Sequence, residues 1–382
     1  MKIYTILFDT VPQHPRIKEV FKSKNLHYSD FITNSCTVTT LVSLFSGKTP
    51  SEMRSTGIGH SHTYALLPKD EQKKWNEKIL FNMLPDDWKI HLHAMPRTRG
   101  DDNLIPTCWP MYRDPNTTPG LRDCKLLPDD ICGRDREFKF YDYQKDEDER
   151  NFIRKMQNLP SDENHFIVLK YNHFHDCERG KHEDVISLFI DIINTIDFEE
   201  ENSLFWIFAD HGEPGGVDTM MRPPMSWLSW VSVVDNITNE KVTKDRIYML
   251  DYYNTIMNRI YGEDTNKYEK RERSEDVLSE VDKDRIYVVE DGRSAVDEWN
   301  CTTVSAVKYL NENEFIQLTR HSPQGPHGIH ENDILNTSIY NRIHKIDEEV
   351  DFSCSMKNIT PTDTNFELLN YLKSGIWRWY FE

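Results

Sequence analysis

The sequence predicts an α/β fold: a large, mostly parallel β-sheet flanked by helices, with a small C-terminal antiparallel sheet. Three observations predict it. Apolar runs at 3–9, 166–171, 204–209 and 229–234 are short and bounded by polar turns, which suits strands buried on both faces. Helical stretches alternate with them, the pattern of a sheet covered on two sides. Beyond residue 285 the spacing changes to successive short strands without helices between them.

Taken in order, the run 3–9 is the first strand and ends at Asp9. Pro15 is placed to open a helix reaching about Lys24, because its fixed φ suits a first turn. An extended run at 26–33 leads into a helical stretch, 36–47, stopped by Gly47. Residues 74–84 read as helix and 88–93 as strand. Between 95 and 148, Pro, Gly, Asp and Arg crowd together, and the segment reads as a long irregular insertion. Alternation resumes with a strand at 166–171, an amphipathic helix at 182–196, a strand at 204–209 ending on Asp210, a strand at 229–234 and a helix at 250–261. The charged stretch 267–284 reads as an exposed linker, and 285–289, 303–310 and 314–319 as the antiparallel strands. The division expected is a catalytic unit at 1–265 and a C-terminal portion at 285–382 that completes the fold. Its aromatic tail (Trp377, Trp379, Tyr380, Phe381) reads as docked on its own domain, with a homo-oligomer contact as the second reading.

Composition narrows the function classes. The 382 residues suffice for a large core, and 12% aromatic content offsets a hydrophobic fraction of only 37%. A net charge of −18 and the lack of any Lys/Arg run argue against nucleic-acid binding. Seven irregularly spaced cysteines form neither a disulfide framework nor a zinc-ligand pattern. The first apolar run is too short for a signal peptide and no stretch approaches a membrane span, so a soluble, reducing compartment is expected, with the sequons at Asn116 and Asn236 as chance matches.

Three segments carry chemistry. In the segment 205–213, a buried strand delivers Asp210 and His211 together into a loop with Gly212. Carboxylate and imidazole are natural ligands of a divalent cation. Asp9 is a second carboxylate at a strand end, and open α/β sheets bind ligands at that edge. Thr37 begins a helix after an extended segment, where free backbone amides favour an anion. Singly, these read equally well as a turn, a strand end and an N-cap.

Together and in this order they resemble the sulfatase branch of the alkaline phosphatase superfamily. The segment 6–10 (ILFDT) resembles that family's first strand with its metal-binding Asp. Residues 37–47 (TVTTLVSLFSG) resemble its nucleophile segment, in which the attacking residue stands ten positions before a Gly, here Thr37 and Gly47. Residues 205–213 (FWIFADHGE) are similar to its late strand with an Asp-His metal pair. The resemblance covers most of residues 1–320.

It implies an alkaline phosphatase/sulfatase-like fold and a divalent ion held by Asp9, Asp210, His211 and Thr37. Mn²⁺, Zn²⁺, Mg²⁺ or Ca²⁺ would suit, as one ion or at most two. It also implies a phosphate or sulfate ester as substrate, small or linked to a glycan or lipid. The sulfatase motif C-x-P/A-x-R is absent, since Cys36 is followed by Thr37, Val38, Thr39 and Thr40. A Thr nucleophile is instead the pattern of the superfamily's phosphodiesterases, phosphotransferases and phosphatases. The reading that results is a metal-dependent phosphoester hydrolase or transferase passing through phospho-threonine. A sulfatase and a catalytically degenerate anion-binding protein are the alternatives; the latter draws on the missing Arg and on Thr10, where many sulfatases have a second Asp. Less specific matches give His175 and His182 as substrate or leaving-group partners, Asp176 (with His182) as a second-metal ligand, and Arg222, Lys181 and His327 as substrate-binding groups.

Overall fold

The computed structural model describes residues 1–9, 11, 13–34, 37–49, 52, 80–94, 138–142, 149–171, 182–212, 227–262, 264, 266–280, 284–292, 302–311, 314–322, 334–343, 351–355, 367–368 and 370–371. An eight-stranded sheet is formed by β1 (Lys2–Phe8), β2 (Ser29–Ile32), β3 (Trp88–Ala94), β4 (Phe138–Asp142), β5 (Asn164–Tyr171), β6 (Ser203–Ala209), β7 (Leu228–Asp235) and β8 (Arg246–Tyr248). Their order is β4-β3-β5-β1-β6-β7-β2-β8. Only β7 runs against the others: it pairs antiparallel with both β6 and β2, and the remaining pairs are parallel. The central strands β1 and β6 are buried along their whole length, as their apolar runs predict.

Helices cover both faces. α1 (Pro15–Ser23), α4 (Glu149–Gln157) and α5 (His182–Thr195) bury Ile17, Phe21, Ile153, Met156, Phe189 and Ile193 against Tyr4, Ile6 and Phe8 of β1. On the other face α2 (Thr37–Ser46), α3 (Leu80–Met83) and α6 (Asp251–Tyr261) bury Leu41, Phe45, Phe81, Tyr252 and Ile256 against Ile3, Leu7, Val168 and Trp206. Neighbours two apart along β1 share a face because the strand period is two. Each aromatic side chain buried this way contributes roughly 1.5–3 kcal/mol.

The second sheet is antiparallel, in the order β13-β12-β11-β10-β9, from β9 (Ile286–Gly292), β10 (Thr302–Tyr309), β11 (Glu314–Ser322), β12 (Ile334–Ile343) and β13 (Asp351–Ser355). It shares a core with the large sheet. Tyr287, Val289, Val307, Tyr309 and Phe315 join the same cluster as Trp227 and Tyr248, and Phe315 meets Trp227 edge-on at 5.5 Å. Its opposite face is covered in part by Leu368, so this part of the tail docks on its own chain. Trp377, Trp379, Tyr380 and Phe381 lie outside the described residues.

Two expectations need correction. The segment 95–148 is not wholly an irregular insertion, because Phe138–Asp142 forms β4, an edge strand of the large sheet paired with β3. Of the stretch 267–284, the described residues 267–280 are not simply an exposed linker: Tyr268, Arg271, Ser274 and Val277 are buried against α6 and its surroundings, with exposed residues between them. Two of its acidic groups pair with distant cations, Arg259 binding Asp276 at 2.6 Å and Lys244 binding Glu275 at 3.2 Å. A charge run reads as solvated only while its partners, distant in sequence, are unknown. The helix α4 and strands β8, β12 and β13 were not anticipated from the sequence, and of the helix expected at 74–84 residues 80–83 are helical and 74–79 lie outside the described residues. Among the described residues no helix is long and apolar enough to cross a membrane.

Candidate metal centre

Adjacent strands β1 and β6 run parallel in register, with Phe8 beside Ala209, so the residue after each strand emerges at the same edge. Those residues are Asp9 and Asp210. The ladder continues one step past β1, where the Asp9 amide donates to the Tyr171 carbonyl at 2.8 Å. Phe8 stacks on Tyr171 at 5.0 Å and meets Phe189 edge-on at 4.6 Å, which holds the strand end beneath the site. The antiparallel β7 fastens the neighbouring backbone. Ser229 Oγ donates to the Ala209 carbonyl at 2.8 Å, and Trp230 Nε1 donates to the Val11 carbonyl at 3.1 Å.

Asp9, Asp210 and His211 are all buried, and one ligand atom from each lies within 4.8 Å of the others. His211 Nε2 stands 3.9 Å from Asp9 Oδ1 and 3.8 Å from Asp210 Oδ2. Both separations are too long for hydrogen bonds. They match ligands of one ion, because metal bonds of about 2.0–2.2 Å put two ligands roughly 3–4.4 Å apart. The imidazole is oriented by its other nitrogen, which lies 2.7 Å from the Gly212 carbonyl oxygen. A carbonyl only accepts, so Nδ1 carries a proton there, and Nε2 is the ring nitrogen left facing the two carboxylates. Two carboxylates and an imidazole converging in a buried setting favour a cation between them. The donor set therefore fits a divalent cation.

The sequence reading missed one functional neighbour. Lys170, on β5, places its ammonium 2.9 Å from Asp9 Oδ2, and both side chains are buried. A signal was present: a lysine inside the apolar run 166–171 must find an opposite charge if the strand is buried. What the run does not contain is the partner, which belongs to the neighbouring strand.

The remaining candidates fall as follows. Thr37 is the first residue of α2 and His182 the first of α5. The approach to α2 is fixed by Asn34, whose Nδ2 donates to Ser43 Oγ at 3.2 Å and whose Oδ1 accepts from the Glu290 amide at 2.9 Å. Since β2 runs parallel to β1 and β6, its carboxyl end and the start of α2 lie toward the edge that carries Asp9 and Asp210. Cys36, His175, Asp176, Lys181, Arg222 and His327 lie outside the described residues.

No family model matches the sequence, and no curated protein matches it. Among solved structures, a protein in the alkaline phosphatase superfamily from Vibrio parahaemolyticus is similar to this chain with a TM-score of 0.54 at 10% identity, over 100% of this chain and 88% of that one. The PsFucS1 sulfatase from Pseudoalteromonas sp. is more distant, with a TM-score of 0.44 at 8% identity over 89% of this chain and 83% of that one. The order of strands, the helices on both faces and the first of these likenesses lead to one conclusion: the chain has the fold of the alkaline phosphatase superfamily.

Proposed function

We propose that this chain is a metal-dependent hydrolase, or transferase, of phosphate esters or diesters, with Thr37 as nucleophile. The observation that carries the proposal is the buried Asp9–Asp210–His211 group, with His211 Nε2 facing both carboxylates. It sits at the carboxyl edge of a mostly parallel sheet, where such folds bind ligands. The Vibrio protein's superfamily and the resemblance of residues 37–47 to a nucleophile segment support the same reading.

A divalent ion, when bound, supplies positive charge for the ester oxygens and favours ionisation of a nearby hydroxyl. Asp9, Asp210 and His211 hold it. Thr37 gives its hydroxyl proton to water, its Oγ1 attacks phosphorus in line, the Thr37 O–P bond forms, and the ester P–O bond breaks. His175 or His182 gives the departing alkoxide its proton. Arg222, Lys181 and His327 bind the anionic oxygens, and Asp176 stands as a ligand should a second ion be taken. Water or an acceptor alcohol then attacks phosphorus and releases Thr37. The substrate is a small-molecule or a glycan- or lipid-linked ester.

The test is hydrolysis of a phosphomonoester, a phosphodiester, a phosphonate ester and an aryl sulfate by purified protein with Mn²⁺, Zn²⁺, Mg²⁺ or Ca²⁺, beside Thr37→Ala. Turnover of a phosphorus ester that falls at least ~10³-fold in the variant is expected for loss of a covalent nucleophile. Full activity in Thr37→Ala would refute the assignment of the nucleophile. Turnover of the sulfate alone would replace the phosphoesterase reading with a sulfatase. No turnover of any ester would favour an anion-binding protein.

A further inference from the structure

We propose that Lys170 is a built-in counter-cation of the centre, which neutralises part of the Asp9–Asp210 charge and weakens the affinity for the divalent ion. The proposal rests on the metal reading of Asp9, Asp210 and His211.

The geometry divides Asp9 between two cations. Its Oδ2 is 2.9 Å from the Lys170 ammonium, while its Oδ1 is the oxygen nearer His211 Nε2. One oxygen is thus paired with the lysine and the other turned to the ligand cluster, so the second oxygen is the one that would hold the ion. Lys170 is itself buried, with a side-chain exposure of 7% against 4% for Asp9. Its position is fixed by the sheet, since Lys170 pairs with Leu7 of β1 on one side and Ala94 of β3 on the other. A buried ammonium on such a scaffold cannot swing away to solvent as a surface lysine would.

Two consequences follow. In the metal-free protein Lys170 offsets the repulsion between the two buried carboxylates, so the site keeps its shape without an ion. In the loaded protein the ammonium repels the ion across a single carboxylate, at short range and with little water between. Both effects lower metal affinity relative to the same ligands without the lysine. A residue whose only role was to orient Asp9 would act in the opposite sense, because its loss would loosen a ligand and weaken binding.

The experiment is metal titration by calorimetry of the full chain stripped with chelator, comparing wild type, Lys170→Met and Lys170→Arg, with Mn²⁺ and Ca²⁺ as probes. Lys170→Met is expected to bind the ion at least about tenfold more tightly, and Lys170→Arg, which keeps the charge, to stay within about threefold of wild type. Should the metal-free Lys170→Met chain not hold its fold, the loaded chain is titrated with chelator, and it is expected to resist stripping at concentrations that empty the wild type. Equal or weaker binding by Lys170→Met, with normal loading of the wild type, would overturn the role of Lys170 and leave the metal centre standing. A wild type that takes up no ion would overturn the metal centre and this proposal with it.

Discussion

Arg271 Nε donates to the carbonyl oxygen of Ser46 at 3.0 Å, so the segment after α6 closes the C-terminal end of α2, the helix whose first residue is Thr37. The guanidinium also lies over the Tyr253 ring, 4.7 Å from its centroid. Gly47, next in the chain, has φ +65°, and a Cβ there would meet Arg271 Cγ at 2.7 Å and Tyr253 Cβ at 2.8 Å. Both the backbone conformation and the space require glycine. Gly47→Ala is expected to cost roughly 2–4 kcal/mol, read from chemical denaturation. An unchanged midpoint would show that the contact yields without cost.

Removing a ligand should remove the stabilisation that metal gives. Ligand at about a hundred times its Kd stabilises a native state by about 2.7 kcal/mol. The wild type is expected to melt higher when Mn²⁺ is added after chelation, and Asp210→Asn to show no rise. An equal rise in the variant would mean that the ion binds elsewhere.

A different network secures the segment that follows α6. Arg259 binds Asp235 at 2.5 Å and Asp276 at 2.6 Å, and Asp235 is fully buried at its side chain. Arg259→Met leaves both carboxylates without this counter-charge, which should cost about 3–5 kcal/mol in a urea titration. The Asp276 carboxyl, although burial works against its charge, is held below its usual range chiefly by Arg259.

Acid sensitivity should come in part from the opposite edge of the sheet. His165 Nδ1 and His91 Nε2 are 3.0 Å apart, and His165 Nε2 lies 3.1 Å from the Pro160 carbonyl oxygen. Burial lowers the His165 pKa below 6.5, against the upward pull of the Pro160 carbonyl and Glu163, while Lys2 and Lys89 add to the lowering. A depressed histidine contributes stability that is present above its unfolded pKa and is lost as pH falls through its folded value. The wild type should therefore lose stability as pH drops below about 6.5, and His165→Gln should show a flatter profile there. Parallel pH profiles for the two proteins would remove His165 as a cause.

Much of the fold and part of the site are local properties and so were legible in the chain. Mostly apolar runs of six or seven residues separated by helical stretches point to strands buried on both faces, whatever their neighbours. A strand that ends on Asp9 or on Asp210–His211 must deliver those groups to one edge if the strands are parallel. Other features depend on register between distant segments. That Phe138–Asp142 pairs with β3, that β7 runs backwards between β6 and β2, and that the charges of 267–284 find Arg259 and Lys244 are decided by what each segment meets after folding. The pairing of Lys170 with Asp9 is of the same kind. The sequence by itself determined the central strands of the large sheet and the polar groups that stand at their ends. Only the tertiary structure decided which charges face one another, because a buried charge is satisfied through space, by partners that local pattern does not name.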